Sequence, residues 1–196
     1  MGLELDEKLD KVLEEIAING LVSAYSLKDM LKVPLSAAQR WLSILRRSRE
    51  VMIYETKTRP IKRKLHGLTI VGLLHALSRP RVRQKFPEVF QKVMEYSKDD
   101  KLVKEDIRNA IQDPEVLKIL REFYLRLADA LEELYDLESL DDVTLIQIAG
   151  ELAIKRDPER MFSMFEYLCP RVSSIRSLAE AYCRNVVTLC QRLGVK

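Results

Sequence analysis

The chain has 196 residues, of which 47% are hydrophobic and 32% charged, with 33 Lys and Arg against 30 Asp and Glu. That length can bury roughly 70% of the unfolded surface, and its apolar runs of only a few residues exclude a membrane-spanning helix. The net charge of +3 hides a polarised molecule: from Lys32 to Lys85 fourteen Lys or Arg face only Glu50 and Glu55, so this stretch carries +12 and the other 142 residues −9. Such a stretch attracts polyanions, of which nucleic acid is the commonest inside a cell.

Leu5, Leu9, Val12, Leu13 and Ile16 recur at helical spacing and predict an amphipathic helix over 5–18, closed by Asn19-Gly20. Ser26 is placed to cap a short second helix through Lys32, which Val33-Pro34 ends because the residue before proline avoids helical geometry. A third helix is expected from Leu35 to Ser48. Val51 to Thr56 is rich in β-formers, Lys64 to Leu68 returns as a second strand, and the proline-containing basic run Lys57 to Arg63 between them predicts the loop of a hairpin. Thr69 caps a fourth helix, Ile70 to Leu77, stopped by Ser78-Arg79-Pro80.

Residues 79–86, basic and flanked by prolines, read as a linker or a docked extended segment. Beyond them helices are expected near 87–97, 103–111, 114–138, 140–155, 158–168 and 171–193, two of them opened by Asp113-Pro114 and Asp157-Pro158, an N-cap with proline at the first helical position. The expected fold is therefore mainly α. A small domain over 1–78 carries a two-stranded hairpin, and the basic segment 79–86 leads to an all-α C-terminal domain over 87–196.

On the third helix Ala38, Leu42 and Leu45 repeat on one face with Trp41 beside them, which docks the helix. The opposite stripe is Ser36, Gln39, Arg40, Ser43 and Arg47, with Arg46 adjoining, and it holds no carboxylate. In a major groove Arg donates bidentately to guanine, Gln pairs bidentately with adenine, and Ser serves a base or a phosphate. A merely solvated face is the alternative, though such faces mix both signs of charge. In the loop, Lys57, Arg59, Lys62 and Arg63, followed by Lys64, suit phosphate contact; a solubilising basic loop is the rival. Arg79, Arg81, Arg83 and Lys85 form a second basic cluster, which either extends the footprint or neutralises the acidic helices.

This arrangement over about residues 5–78 resembles the winged helix-turn-helix transcription regulators, especially the MarR and PadR type. The run Ser36-Ala37-Ala38-Gln39-Arg40-Trp41-Leu42-Ser43-Ile44-Leu45 looks like their recognition helix. Val51 to Thr56 and Lys64 to Leu68 look like the wing strands, and Leu68-Thr69-Ile70-Val71-Gly72 looks like the Leu-Thr-x-x-Gly entry into the helix after the wing. The resemblance implies that Ser36, Gln39, Arg40 and Ser43 face the major groove while Lys57, Arg59, Lys62 and Arg63 touch phosphate or the minor groove. Those families usually place a glycine between recognition helix and first wing strand; here the turn is Ser48-Arg49-Glu50.

Catalytic and metal chemistry find little support. His66 and His75 are the only histidines, and no HExxH, CxxC pair or phosphate-binding glycine loop is present. Cys169, Cys183 and Cys190 read as buried structural thiols in a reducing compartment. No cofactor, metal or catalytic residue is expected, and an N-terminus without the signal-peptide pattern leads to a cytoplasmic expectation. The stripe Val116, Leu120, Phe123, Leu127, Ala130, Leu134 and Leu137 is either a bundle core or a subunit interface. The expected function is a double-stranded DNA-binding transcriptional regulator acting as a homodimer and without catalysis, the C-terminal helices serving dimerisation or a small-molecule effector or protein partner. The rival is a winged-helix interaction module of a replication, RNA-processing or chromatin assembly.

Overall fold

A computed structural model describes residues 2–55, 64–96, 108, 112–133, 142–172, 175–176, 179–180 and 183–184. The chain is mainly helical with one small antiparallel sheet. In order come α1 (Gly2–Asn19), α2 (Ala24–Leu31), α3 (Leu35–Arg47), β1 (Val51–Glu55), β2 (Lys64–Leu68), α4 (Ile70–Ala76), α5 (Pro80–Gln84), α6 (Phe86–Tyr96), α7 (Pro114–Leu131), α8 (Asp142–Arg156) and α9 (Pro158–Leu168). None of the described helices is long and apolar enough to cross a membrane.

Local chemistry accounts for most boundaries. The apolar stripe of α1 buries Val12, Leu13, Ile16 and Ala17, and the helix ends at Gly20, whose φ of +80° is left-handed. The cap of α2 is Ser23, not the expected Ser26: Ser23 Oγ accepts from the Ser26 amide at 3.0 Å, and the Ser26 hydroxyl meets the same oxygen at 2.8 Å. Lys32 leaves α2 at φ +52°, and the Pro34 carbonyl opens α3 by accepting from the amides of Ala37 and Ala38. The strands pair in register Val51↔Leu68, Ile53↔His66 and Glu55↔Lys64, and an isolated bridge from Val22 to His66 adds a third rung that periodicity cannot reveal.

Residues 79–86, expected as a linker or a docked extended segment, are docked on the body but helical over Pro80–Gln84. Pro80 occupies the first turn of α5, Val82 and Phe86 are buried, and α6 follows almost without a break. Proline at a helix start supplies a ready φ and gives up an amide that has no partner there, so flanking prolines did not mark an extended chain. One continuous hydrophobic cluster then runs from Val12 through α4, α6 and α7 to Ile175. Aromatic contacts knit its C-terminal half: Phe86 stacks on Phe90 at 5.1 Å, Tyr124 meets Phe90 edge-on at 5.0 Å, and Phe123 meets Phe165 at 5.5 Å.

The α7 stripe belongs to this core. Val116, Leu120, Phe123, Leu127 and Ala130 are buried within the chain, against α4, α6, α8 and α9. Its candidacy as a dimer surface is thereby withdrawn for the part up to Leu131; Leu134 and Leu137 lie outside the described residues. The expected helices near 103–111 and 171–193 fall on residues of which only a few are described. Cys169 is half-buried and Cys183 exposed, both free, so the expectation of buried thiols fails at Cys183; Cys190 lies outside the described residues.

Candidate nucleic-acid interface

The stretch after α3 decides how that helix is aimed. Its last turn ends at Ser48, whose hydroxyl donates to the Leu45 carbonyl at 3.2 Å, and Arg49 then takes φ +59°. Arg49 thus adopts a left-handed conformation that ordinarily favours glycine, and the Glu50 amide turns back to the Leu45 carbonyl at 2.9 Å.

The start of α4 clasps this turn. Thr69 Oγ1 donates to the Arg49 carbonyl at 2.7 Å, the Thr69 amide donates to the Glu50 carbonyl at 2.9 Å, and Thr69 Oγ1 caps α4 by accepting from the Gly72 amide at 3.0 Å. His75 Nδ1 donates to Glu50 Oε1 at 3.0 Å, which accounts for His75 as a packed polar group. Gly72 is required by proximity: a Cβ there would lie 2.0 Å from the Glu50 carbonyl oxygen. The Thr-x-x-Gly spelling is therefore a packing requirement that joins the end of α3 to the base of the hairpin.

On the far side of the hairpin Tyr96 of α6 accepts from the Leu68 amide at 2.9 Å and meets Tyr54 edge-on at 5.0 Å. The approach uses the bare α-carbon of Gly67, where a Cβ would come within 2.9 Å of the Leu21, Tyr96 and Tyr54 side chains. The strands are held from both sides, and α3 is held to the strands.

With Ala38, Leu42 and Leu45 buried, α3 presents Ser36, Gln39, Arg40, Arg46 and Arg47 to solvent, with Ser43 half-buried. Lys64 at the start of β2 is also exposed. Among the described residues, Arg40, Arg46, Arg47 and Lys64 pair with no carboxylate. Arg46 and Arg47 also stand in the last turn of α3, where cations complement the negative end of the helix dipole. Lys57, Arg59, Lys62 and Arg63 lie outside the described residues.

The second basic cluster is occupied differently. Arg79 pairs with Asp10, Arg81 reaches Glu14 at 3.0 Å and Glu15 at 2.8 Å, and Arg83 pairs with Asp129 while its Nε donates to the Leu77 carbonyl. Of the two readings left open for this cluster, these three arginines follow the internal one. The acidic helices neutralise them, and they fasten α5 to α1 and α7.

A groove lies on each side of the α3 ridge. The larger, about 720 Å³, runs between the N-terminus of α2, α3 and the sheet; Gln39, Ser43 and Arg46 form one wall, Lys64 and Ile53 another, and Ser23, Tyr25 and Ser26 the end. It holds one carboxylate, Asp29, which pairs with Lys28 at 3.0 Å. The smaller, about 640 Å³, separates α3 from α1 and brings Lys8 and Leu5 beside Ser36, Arg40 and Trp41. Thus the expected site residues divide: Gln39, Ser43, Arg46 and Lys64 gather on one side, Ser36 and Arg40 on the other. Lys8 and Tyr25 had no signal in the sequence, because both enter through tertiary neighbours of α3.

His66 forms the floor of the larger groove. It is 9% exposed, and its Nδ1 is buried with no hydrogen-bond partner among the described residues. Burial holds the imidazole below its usual pKa near 6.5; the Val22 backbone opposes this in part, and Arg46 and Lys64 add to it. No cluster of three or more His, Cys, Asp or Glu suited to a metal ion occurs among the described residues. Comparison of the chain with protein-family models, with curated proteins and with solved structures finds no match.

Proposed function

We propose that the protein binds double-stranded DNA and regulates transcription, with residues 1–78 acting as a winged helix-turn-helix. In this reading α3 enters the major groove, Gln39 and Arg40 read base edges, and Ser36, Ser43, Arg46, Arg47 and Lys64 hold the backbone beside it. Lys57, Arg59, Lys62 and Arg63, in the loop between the strands, supply further phosphate contacts. The α3 row of thirteen residues is about 20 Å long, enough to cross a major groove about 12 Å wide.

The observation that carries the reading is a contrast between the two basic clusters. Arg79, Arg81 and Arg83 are consumed by carboxylates, yet Arg40, Arg46, Arg47 and Lys64 have no carboxylate partner among the described residues and stand beside two grooves. Exposed like charges repel one another, and the helix dipole accounts only for Arg46 and Arg47 in the last turn, so the grouping with Arg40 and Lys64 favours an external polyanion. The order α1, bridge, α2, α3, β1, β2 supports the winged-helix assignment.

We infer further that the working form is a homodimer, since one α3 covers only a short half-site; two copies would read sites about 34 Å apart. Selection of bound sequences from a random duplex pool tests the whole reading. An enriched motif with two-fold symmetry is expected. Retention without any enriched motif would leave a non-specific binder, and no retention at low salt would refute DNA binding and favour a protein-docking module.

A further inference from the structure

The groove between α2, α3 and β2 contains a group that the proposed base and phosphate contacts do not use. His66 projects from the middle of β2, bonded through its backbone to Val22 on one side and paired with Ile53 on the other, so its position is fixed by the sheet. The residue is 9% exposed beneath the groove, and its Nδ1 has no hydrogen-bond partner among the described residues. An unsatisfied buried ring nitrogen is costly in a folded protein, and nothing else in the described fold explains it.

The charges around this ring come from three elements. Arg46 faces it from α3, Lys64 from its own strand, and Asp29 from α2; among the described residues lining the groove the other titratable group is the Tyr25 phenol. The backbone segment at Val22 and the paired Ile53 of β1 bring no charge. In the free protein the two nearby cations and burial together oppose a proton on the imidazole. The phosphodiester backbone of a duplex reverses this balance, because an anion seated between Arg46 and Lys64 cancels their repulsion and adds attraction of its own.

We propose that His66 couples duplex binding to proton uptake: the imidazole is neutral in the free protein and takes one proton from solvent as the backbone seats in the groove, so that affinity rises as pH falls. The proposal rests on the DNA-binding reading, and linkage makes it quantitative. If seating raises the proton affinity of His66 by a given factor, protonating His66 strengthens duplex binding by the same factor. A shift of one unit would make binding at most about sixfold tighter at pH 6 than at pH 8, because the free imidazole already lies below its usual range.

The test measures affinity of the full chain for a mixed-sequence 24-base-pair duplex by fluorescence anisotropy, at constant low salt from pH 8 to pH 6. Wild type is expected to tighten by about three- to sixfold, with a maximum slope of about half a proton per bound chain for a one-unit shift. His66→Gln should lose that slope, and His75→Gln should keep it. In parallel, the Cε1–H resonance of His66 in wild-type protein, assigned by comparison with His75→Gln, should titrate at least one unit higher in the complex than alone. This second measurement needs no folded His66 variant. Binding that is tight but pH-independent, or an unmoved His66 midpoint, overturns the coupling and leaves DNA binding standing. Absence of duplex binding at every pH overturns both.

Discussion

Replacing Gly72 by alanine tests the claim that the turn after α3 is clamped by backbone contact. In an ordinary helix interior this exchange is favourable by about 1 kcal/mol. Here the added methyl would sit 2.0 Å from the Glu50 oxygen, where ordinary contacts lie at 3.4–4 Å, and the obstacle is backbone. Relief requires α4 and the Arg49-Glu50 turn to part by more than 1 Å. That movement breaks the Thr69 hydroxyl bond to Arg49, the Thr69 amide bond to Glu50 and the His75–Glu50 pair. Each bond contributes about 1 kcal/mol, so the loss is about 3 kcal/mol against a gain of about 1, a net destabilisation of about 2 kcal/mol.

Gly150 in α8 is the matched control, since a Cβ there meets nothing within 4 Å. Gly150→Ala should gain about 0.5–1 kcal/mol. Urea unfolding followed by far-ultraviolet circular dichroism measures both variants on one scale. Equal effects of the two substitutions, or a neutral Gly72→Ala, would refute the clamp.

Gln39→Ala and Arg40→Ala should each cost about 1–3 kcal/mol of discrimination between the selected motif and random duplex while the fold is retained; equal losses for both duplexes in competition binding would contradict base reading. Arg59→Ala with Lys62→Ala should weaken binding to every duplex and flatten the log–log salt slope by up to about two units; an unchanged slope would show that this loop does not touch the backbone. Arg83→Ala should destabilise by about 1 kcal/mol through loss of its bond to the Leu77 carbonyl at the end of α4, and Asp129→Ala by less because that ion pair is half exposed; denaturant midpoints in the reverse order would refute this ranking. His66 also makes folding pH-dependent in a fixed direction. Its folded value lies below the unfolded one near 6.5, so the unfolded chain binds the extra proton, and the stabilisation is complete above pH 6.5 and declines as pH falls below it. The melting temperature of wild type should therefore fall more between pH 7.5 and pH 5.5 than that of His66→Gln, and parallel curves would refute it.

Features that depend on neighbours in the chain were legible in the sequence. The α3 face, both strands, the Thr69 cap and the caps at Asp113 and Asp157 follow from periodicity and side-chain chemistry within four residues. Local sequence points to Ser26 as the cap of α2 and Ser23 serves instead, because two serines three apart satisfy the same local rule and only the entry path of the chain separates them. Periodicity showed that α7 has an apolar stripe, but not what covers it. The burial of Val116 and Leu127 depends on α4, α8 and α9 returning to the same place.

Charge was the least legible quantity, and it matters most for the candidate site. In sequence the arginines at 79, 81 and 83 look like those at 40, 46 and 47: a basic run with no acid among them. Their partners, Asp10, Glu14, Glu15 and Asp129, lie roughly 46 to 69 positions away and reach them only because α5 packs across α1 and α7. A surface charge counts for steering only after such pairs are subtracted, and among the described residues of the basic stretch the subtraction leaves Arg40, Arg46 and Arg47 on α3 and Lys64 on β2, with Lys32 and Lys85 apart from them in the chain. The free positive charge among the described residues is therefore narrower than the +12 stretch suggests, and much of it stands on α3, whose apolar face is committed to the core.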